Sequence, residues 1–218
     1  IDFKYQTPPI KYDRGRRFLI HDMAADETNF TLKASYAFSE FERLAVVPEV
    51  DAIRIAGVAK KAKLEQAVTD NALESFKDAV VKVRDKGYGG QLVSHVSYDF
   101  LNKLELQFAG QLSSQTFSIN GVDTQLPSLD EVALIATTSD KMNTDITVSE
   151  DGWAPAGDKI DFFIAPVTSA IGVMKHNIKR VFRPEDNQHQ DGWGIPFRVY
   201  HDVIVPDNQA DIILVGKS

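Results

Sequence analysis

The sequence predicts an α+β fold, with helices gathered toward the first half of the chain and long strands toward its end. Two patterns carry that prediction. Apolar residues recur at three- and four-residue steps over 30–62 and 71–86, the interval at which a helix returns to one face. Near the C-terminus Phe197, Val199, His201, Val203 and Val205 alternate with Arg198, Tyr200, Asp202 and Ile204, the period of a strand that buries one side.

Residues 1–28 are polar and basic in the middle, where Asp13-Arg14-Gly15-Arg16-Arg17 lies between β-prone runs. Gly15 inside that polar cluster predicts a hairpin or excursion loop. Few apolar residues here face a core, so the segment is expected to lie as an extended arm against another chain. In 30–62, Phe38, Phe41, Ala45, Ala52, Ile55, Ala56 and Ala59 form one helical stripe. Pro48 interrupts it, and its missing N–H and ring clash predict a kink or restart near Val47. Asp26, Glu27 and Thr28 suit the N-terminal end of that helix.

The helix over 71–86 has the clearest signals. Asn71 caps it and Glu74 answers three residues on, as in a capping box. Leu73, Phe76, Val80 and Val83 make the buried stripe, Lys82, Arg84 and Lys86 suit the C-terminal end, and Gly87 stops it. A strand over 91–96, a short helix over 98–108 and a buried strand over 131–137 follow. The segment 139–160, punctuated by Asn143, Gly152, Pro155 and Gly157, reads as loop. A strand over 170–182 then joins the alternating one through the turn-rich 183–194, making a long hairpin.

At 218 residues, 43% apolar and 25% charged, the chain holds one large domain or two small interleaved ones. A net charge of −7 argues against a surface that tracks phosphates, which needs clustered Lys and Arg. With no cysteine there is no disulfide framework, thiolate metal site or thiol nucleophile. No apolar run approaches the roughly 18 residues that cross a bilayer, so no membrane partner is expected.

The one arrangement resembling a metal centre is His176, His189 and His201, with Asp191 and Asp202, on the C-terminal hairpin. Such a set suits zinc or iron in a metal-dependent enzyme. Apart from His189 and Asp191 it has no close ligand pair, and the simpler expectation is a hydrogen-bonded strand histidine with solvated turn residues. Gly216-Lys217-Ser218 resembles the end of a phosphate loop, but the glycine required at 211 is Asp. No serine lies in a nucleophile elbow. No enzyme activity, catalytic residue, cofactor or metal is therefore expected. Arg14, Arg16 and Arg17 are the better functional candidates: on an extended arm they would bond carboxylates of a neighbouring subunit, adding little to their own subunit's stability.

Several stretches, in order, resemble the major capsid proteins of tailed bacteriophages and prophages. They are Tyr12-Asp13-Arg14-Gly15-Arg16-Arg17-Phe18 with His21-Asp22-Met23 and Asp26-Glu27-Thr28; Phe41-Glu42-Arg43 with Val46-Val47-Pro48-Glu49-Val50-Asp51-Ala52; Asn120-Gly121-Val122-Asp123 with Ile135-Ala136-Thr137-Thr138-Ser139-Asp140-Lys141-Met142-Asn143-Thr144; and Pro196-Phe197-Arg198-Val199-Tyr200-His201-Asp202. The resemblance implies the Hong Kong 97-like capsid fold. On that basis 1–29 is expected to be the E-loop, 30–62 the spine helix of the P-domain, and 63–169 the A-domain. Residues 170–205 would be the long β-hairpin of the P-domain, and 206–218 a strand returning to the A-domain. Family members carry an N-terminal arm before the E-loop; it is expected to be missing from this chain, which starts at Ile1, through cleavage, disorder or truncation.

The implied function is that of a structural subunit of an icosahedral shell, built from hexamers and pentamers. The shell would enclose double-stranded DNA without sequence-specific binding. Scaffolding and portal proteins are the implied partners, assembly takes place in the bacterial host cytoplasm, and the product is the virion capsid. Encapsulins, nanocompartment shells that hold enzyme cargo, use the same fold and are the alternative.

Overall fold

The computed structural model describes residues 7–21, 36, 38–108, 112–119, 122–187 and 192–218. In chain order the elements are β1 (Tyr12–His21), α1 (Val47–Lys61), β2 (Leu64–Ala67), α2 (Ala72–Arg84), β3 (Leu92–Ser97), α3 (Tyr98–Gln107), β4 (Ser113–Ile119) and β5 (Val122–Leu129). Then come β6 (Val132–Thr137), β7 (Asn143–Ser149), β8 (Gly152–Lys159), β9 (Phe162–Pro166), β10 (Ile171–Lys179), β11 (Gly192–Ile204), the short α4 (Asp207–Ala210) and β12 (Leu214–Lys217). The chain folds as two compact units, Ile1–Val50 with Gly172–Ile204, and Asp51–Ile171 with Val205–Ser218. The division falls within α1. Among the described residues no helix is long and apolar enough to cross a membrane.

The first unit is a three-stranded sheet in the order β1-β11-β10. Here the expectation of a hairpin at Asp13–Arg17 is corrected: β1 runs straight through Gly15 and pairs antiparallel with β11, Gly15 opposite Arg198 and Phe18 opposite Ile195. A Cβ on Gly15 would lie 3.1 Å from the carbonyl oxygen of Phe197, so the glycine serves close strand approach and not a turn. Phe18, Phe38, Phe41 and Phe197 meet edge to face at 4.8–6.3 Å, a small aromatic core under one side of the sheet. The expected alternation of β11 is present, with Phe197, Val199 and His201 buried.

Residues 38–41 are helical, and a π-helical turn over Glu42–Val46 leads directly into α1. The N–H of Val47 reaches five residues back to the carbonyl of Glu42. The irregularity expected near Val47 takes this form: the helix widens one turn ahead of Pro48, and α-helical geometry resumes at Val47, a common way to absorb a missing donor. The residues expected to begin this helix, 30–35, lie outside the described residues, as do parts of the expected E-loop, 1–6 and 22–29.

The second unit is a seven-stranded mixed sheet, β2-β12-β9-β3-β6-β5-β4, with α2 and α3 over one face. Phe76, Phe100, Leu104, Val132, Phe162 and Ile164 are fully or almost fully buried there. β9 is buried along its whole length, so both faces of the sheet centre are covered, as strands with near-continuous apolar sequence require. α2 forms as expected: Asn71 Oδ1 accepts from the Glu74 N–H at 3.2 Å and Asn71 Nδ2 donates to Glu74 Oε2 at 3.0 Å. The final strand is shorter than expected, because α4 takes Asp207–Ala210 and leaves β12 to Leu214–Lys217.

The segment expected as loop, 139–160, is a two-stranded hairpin of β7 and β8. Its glycines are accommodated within it. Gly157 adopts φ +72° in β8, and a Cβ there would strike Thr144 Oγ1 at 2.4 Å. Pro155 sits on β8, which among the described residues is bonded to β7 and no other strand, the kind of edge position that tolerates a missing donor.

Candidate functional site

The three arginines do not form one cluster, because strand alternation divides them. Arg14 and Arg16 lie on the side of the sheet that carries Val199 and Phe197, their register partners, and Arg17 lies on the other. Arg14 makes a forked pair with Glu49, Nε to Oε1 at 2.7 Å and Nη2 to Oε2 at 3.3 Å, with side-chain exposures of 29% and 13%. The guanidinium of Arg16 lies 5.8 Å from the ring centre of Phe18 and 6.0 Å from that of Phe41. Arg17 Nη2 donates to Asn187 Oδ1 at 2.6 Å, and Asn187 Nδ2 donates to the carbonyl of Gly192 at 2.8 Å. Each arginine thus has a partner in its own chain, contrary to the expectation of an arm without intrachain support.

On the other face Arg198 forks onto Asp13, with Nε to Oδ1 at 2.8 Å. The hydrogen bond from Arg198, joined by the charges of Arg198 and His176, holds the Asp13 carboxyl below its ordinary range. Tyr200 donates its hydroxyl to the carbonyl of Ile10 at 3.0 Å, and the Lys11 N–H donates to Asp202 Oδ2 at 3.1 Å. That bond explains why Asp202 is buried against the alternation.

The histidines do not converge. His201 is buried and stacks on Tyr12 at 6.0 Å. His176 is exposed and stacks on Tyr200 at 6.4 Å. Tyr200 and His201 are consecutive in a strand, so these two histidines face opposite sides of the sheet. His189 and Asp191 lie outside the described residues. Among the described residues no group of three or more His, Cys, Asp or Glu side chains is placed to hold a metal ion.

The surface that sequence reasoning missed is β10. It is the outer strand of its sheet, and seven of its nine residues are exposed, on both faces. Met174 is 46% exposed, and beyond the strand's end Val181 is 57% and Phe182 37% exposed. Of its cations, Lys179 pairs with Glu42 at 2.7 Å, and Lys175 Nζ lies 6.0 Å from the centre of the Tyr200 ring. The signal was the adjacent Val181-Phe182 pair set among Lys175, Arg180 and Arg183. Glu49 left no local signal, since it lies 35 residues from Arg14.

No protein-family model matches this chain, and no curated protein sequence matches it. Solved structures do. A protein of Mycobacterium phage Ogopogo aligns with 94% of this chain and 74% of its own, at 13% identity and a TM-score of 0.61. The capsid structure of cyanophage P-SCSP1u covers 99% and 80%, at 10% identity and 0.58. The encapsulin complex of Synechococcus elongatus PCC 7942 covers 94% and 73%, at 12% and 0.53. The fold is therefore one found in phage capsids and in an encapsulin complex. It is the Hong Kong 97-like α+β fold of phage capsids, as the resemblance in sequence implied.

Proposed function

We propose that this chain is a structural subunit of an icosahedral tailed-phage or prophage capsid, built from hexamers and pentamers around double-stranded DNA, and not an enzyme. The observation that carries this reading is β10, a nine-residue edge strand exposed on both faces with apolar residues at and beyond its end, in a fold shared with capsids. A long open edge on a chain that stays alone invites uncontrolled pairing, so a partner that covers it is expected. Residues 1–29 then serve as the E-loop, with Arg14, Arg16 and Arg17 at the contact with a neighbouring copy. Arg16 and Arg17 are exposed and supply most of that contact, since Arg14 is engaged by Glu49. Scaffolding and portal proteins would be further partners, with assembly in the host cytoplasm.

Negative-stain microscopy with sedimentation of the full chain tests the reading: rings and shells are expected as concentration rises. A single monomeric species over a wide concentration range would sink it. The likeness to the encapsulin complex supports a second reading, a nanocompartment shell. Purified particles that hold a protein cargo and no nucleic acid would favour that reading over the capsid.

A further inference from the structure

The charge of this chain is segregated. Counted along the sequence, the first unit is balanced at twelve cationic and twelve anionic side chains. The second carries twelve against nineteen, the whole of the chain's net −7. On the first unit, Lys175, Arg180 and Arg183 have no ion-pair partner among the described residues and line the exposed edge next to Met174, Val181 and Phe182. Both edge strands of that sheet are basic, with Arg14, Arg16 and Arg17 on β1. Pairing this sheet with its own copy edge to edge would place like charges together, which disfavours a self-complementary contact.

On the second unit, β7 and β8 form a separate two-stranded sheet. Its tip carries Glu150 and Asp151, both exposed and without an ion-pair partner among the described residues. By contrast, the acidic turn at Asp130 faces Lys77 at 3.9 Å. A lone two-stranded ribbon is marginal without added contacts.

Resting on the reading of the chain as a shell subunit, we propose that the β10 edge receives the β7–β8 tip of another copy, with Glu150 and Asp151 against Lys175 and Arg180. The contact is head to tail: two different surfaces meet, so each copy offers one of each and a ring or lattice can grow. Mixed apolar and cationic residues fit a protein interface, where aromatic and apolar anchors sit among charges that set register. A phosphate backbone would leave Val181 and Phe182 unused.

The test reverses and then swaps the charges in the full chain. Lys175→Glu with Arg180→Glu should raise the concentration needed for assembly, read by sedimentation, by on the order of tenfold or more. Glu150→Lys with Asp151→Lys should do the same, and all four changes together should restore assembly. Circular dichroism melts unchanged from wild type certify folding of each variant. Reversal without effect on assembly overturns the proposal, as does failure of the fourfold variant to recover. Normal assembly with reduced nucleic-acid retention overturns it in favour of a phosphate-binding edge. Failure of the wild-type chain to assemble would instead remove the shell reading itself, and is read before any variant is made.

Discussion

Arg14 and Glu49 are joined by a two-pronged pair, Nε to Oε1 at 2.7 Å and Nη2 to Oε2 at 3.3 Å, tying β1 to the residue two places into α1 after Val47. Both side chains are largely buried, at 29% and 13% exposure. Such forked, partly desolvated pairs are stronger than exposed ones because water no longer competes for the same donors.

Arg14→Ala is therefore expected to destabilise the unassembled subunit by about 1–2 kcal/mol. Arg16→Ala, which loses only a ring contact at the surface, should cost about 0.5 kcal/mol. Urea melts of both variants check this. Equal effects would mean that the Glu49 pair contributes nothing beyond a surface ion pair.

The phase of the helix before α1 is tested by two apolar positions. Phe41 sits 4.8 Å from Phe18 and 5.8 Å from Phe197, whereas Leu44 is 63% exposed. Phe41→Ala should cost about 3 kcal/mol, the low end for a buried phenylalanine because its ring is half-buried. Leu44→Ala should change stability by less than about 0.5 kcal/mol. Thermal melts that rank the two the other way would refute the packing described here.

His95 on β3 stacks on Phe163 at 4.9 Å and lies 3.2 Å, ring Nδ1 to hydroxyl, from Thr137. Burial lowers its pKa from 6.5 to about 4, against the opposing pull of Asp51. The neutral ring is thus favoured by folding, so this contribution is complete above pH 6.5 and is lost as pH falls toward 4. The expected loss across that window is about 2 kcal/mol, discounted for the partly exposed edge of the ring. His95→Gln should flatten the stability profile there. A profile as steep as wild type would assign the acid sensitivity to other groups.

Gly216 on β12 lies under the ring of Phe162, where an added Cβ would approach to 2.4 Å. That ring is fully buried and packs on Phe76 and Phe100, so it has nowhere to swing. Gly216→Ala should cost about 2 kcal/mol or more through overpacking. Gly89→Ala, with nothing within 4 Å of its Cβ, should be close to neutral. Denaturation midpoints of the two variants, measured side by side, check the contrast.

What the sequence determined by itself was local. The cap and stripe of α2 are written within about four turns of helix, where a side chain's partners are its near neighbours. The alternation of β11 is likewise complete in one run, and its burial follows it. What only the tertiary structure decided was pairing across the chain. β1 looks like a turn because Gly15 and its charges are read without β11, whose Arg198 meets Asp13 from 185 residues away. The β7–β8 hairpin looks like loop because glycine and proline signal breaks wherever no partner strand is in view. The division of Arg14 and Arg16 from Arg17, of His176 from His201, and the exposure of β10 all follow from a sheet register. That register is a relation between distant segments, and the free energy that selects it comes from packing both of them at once.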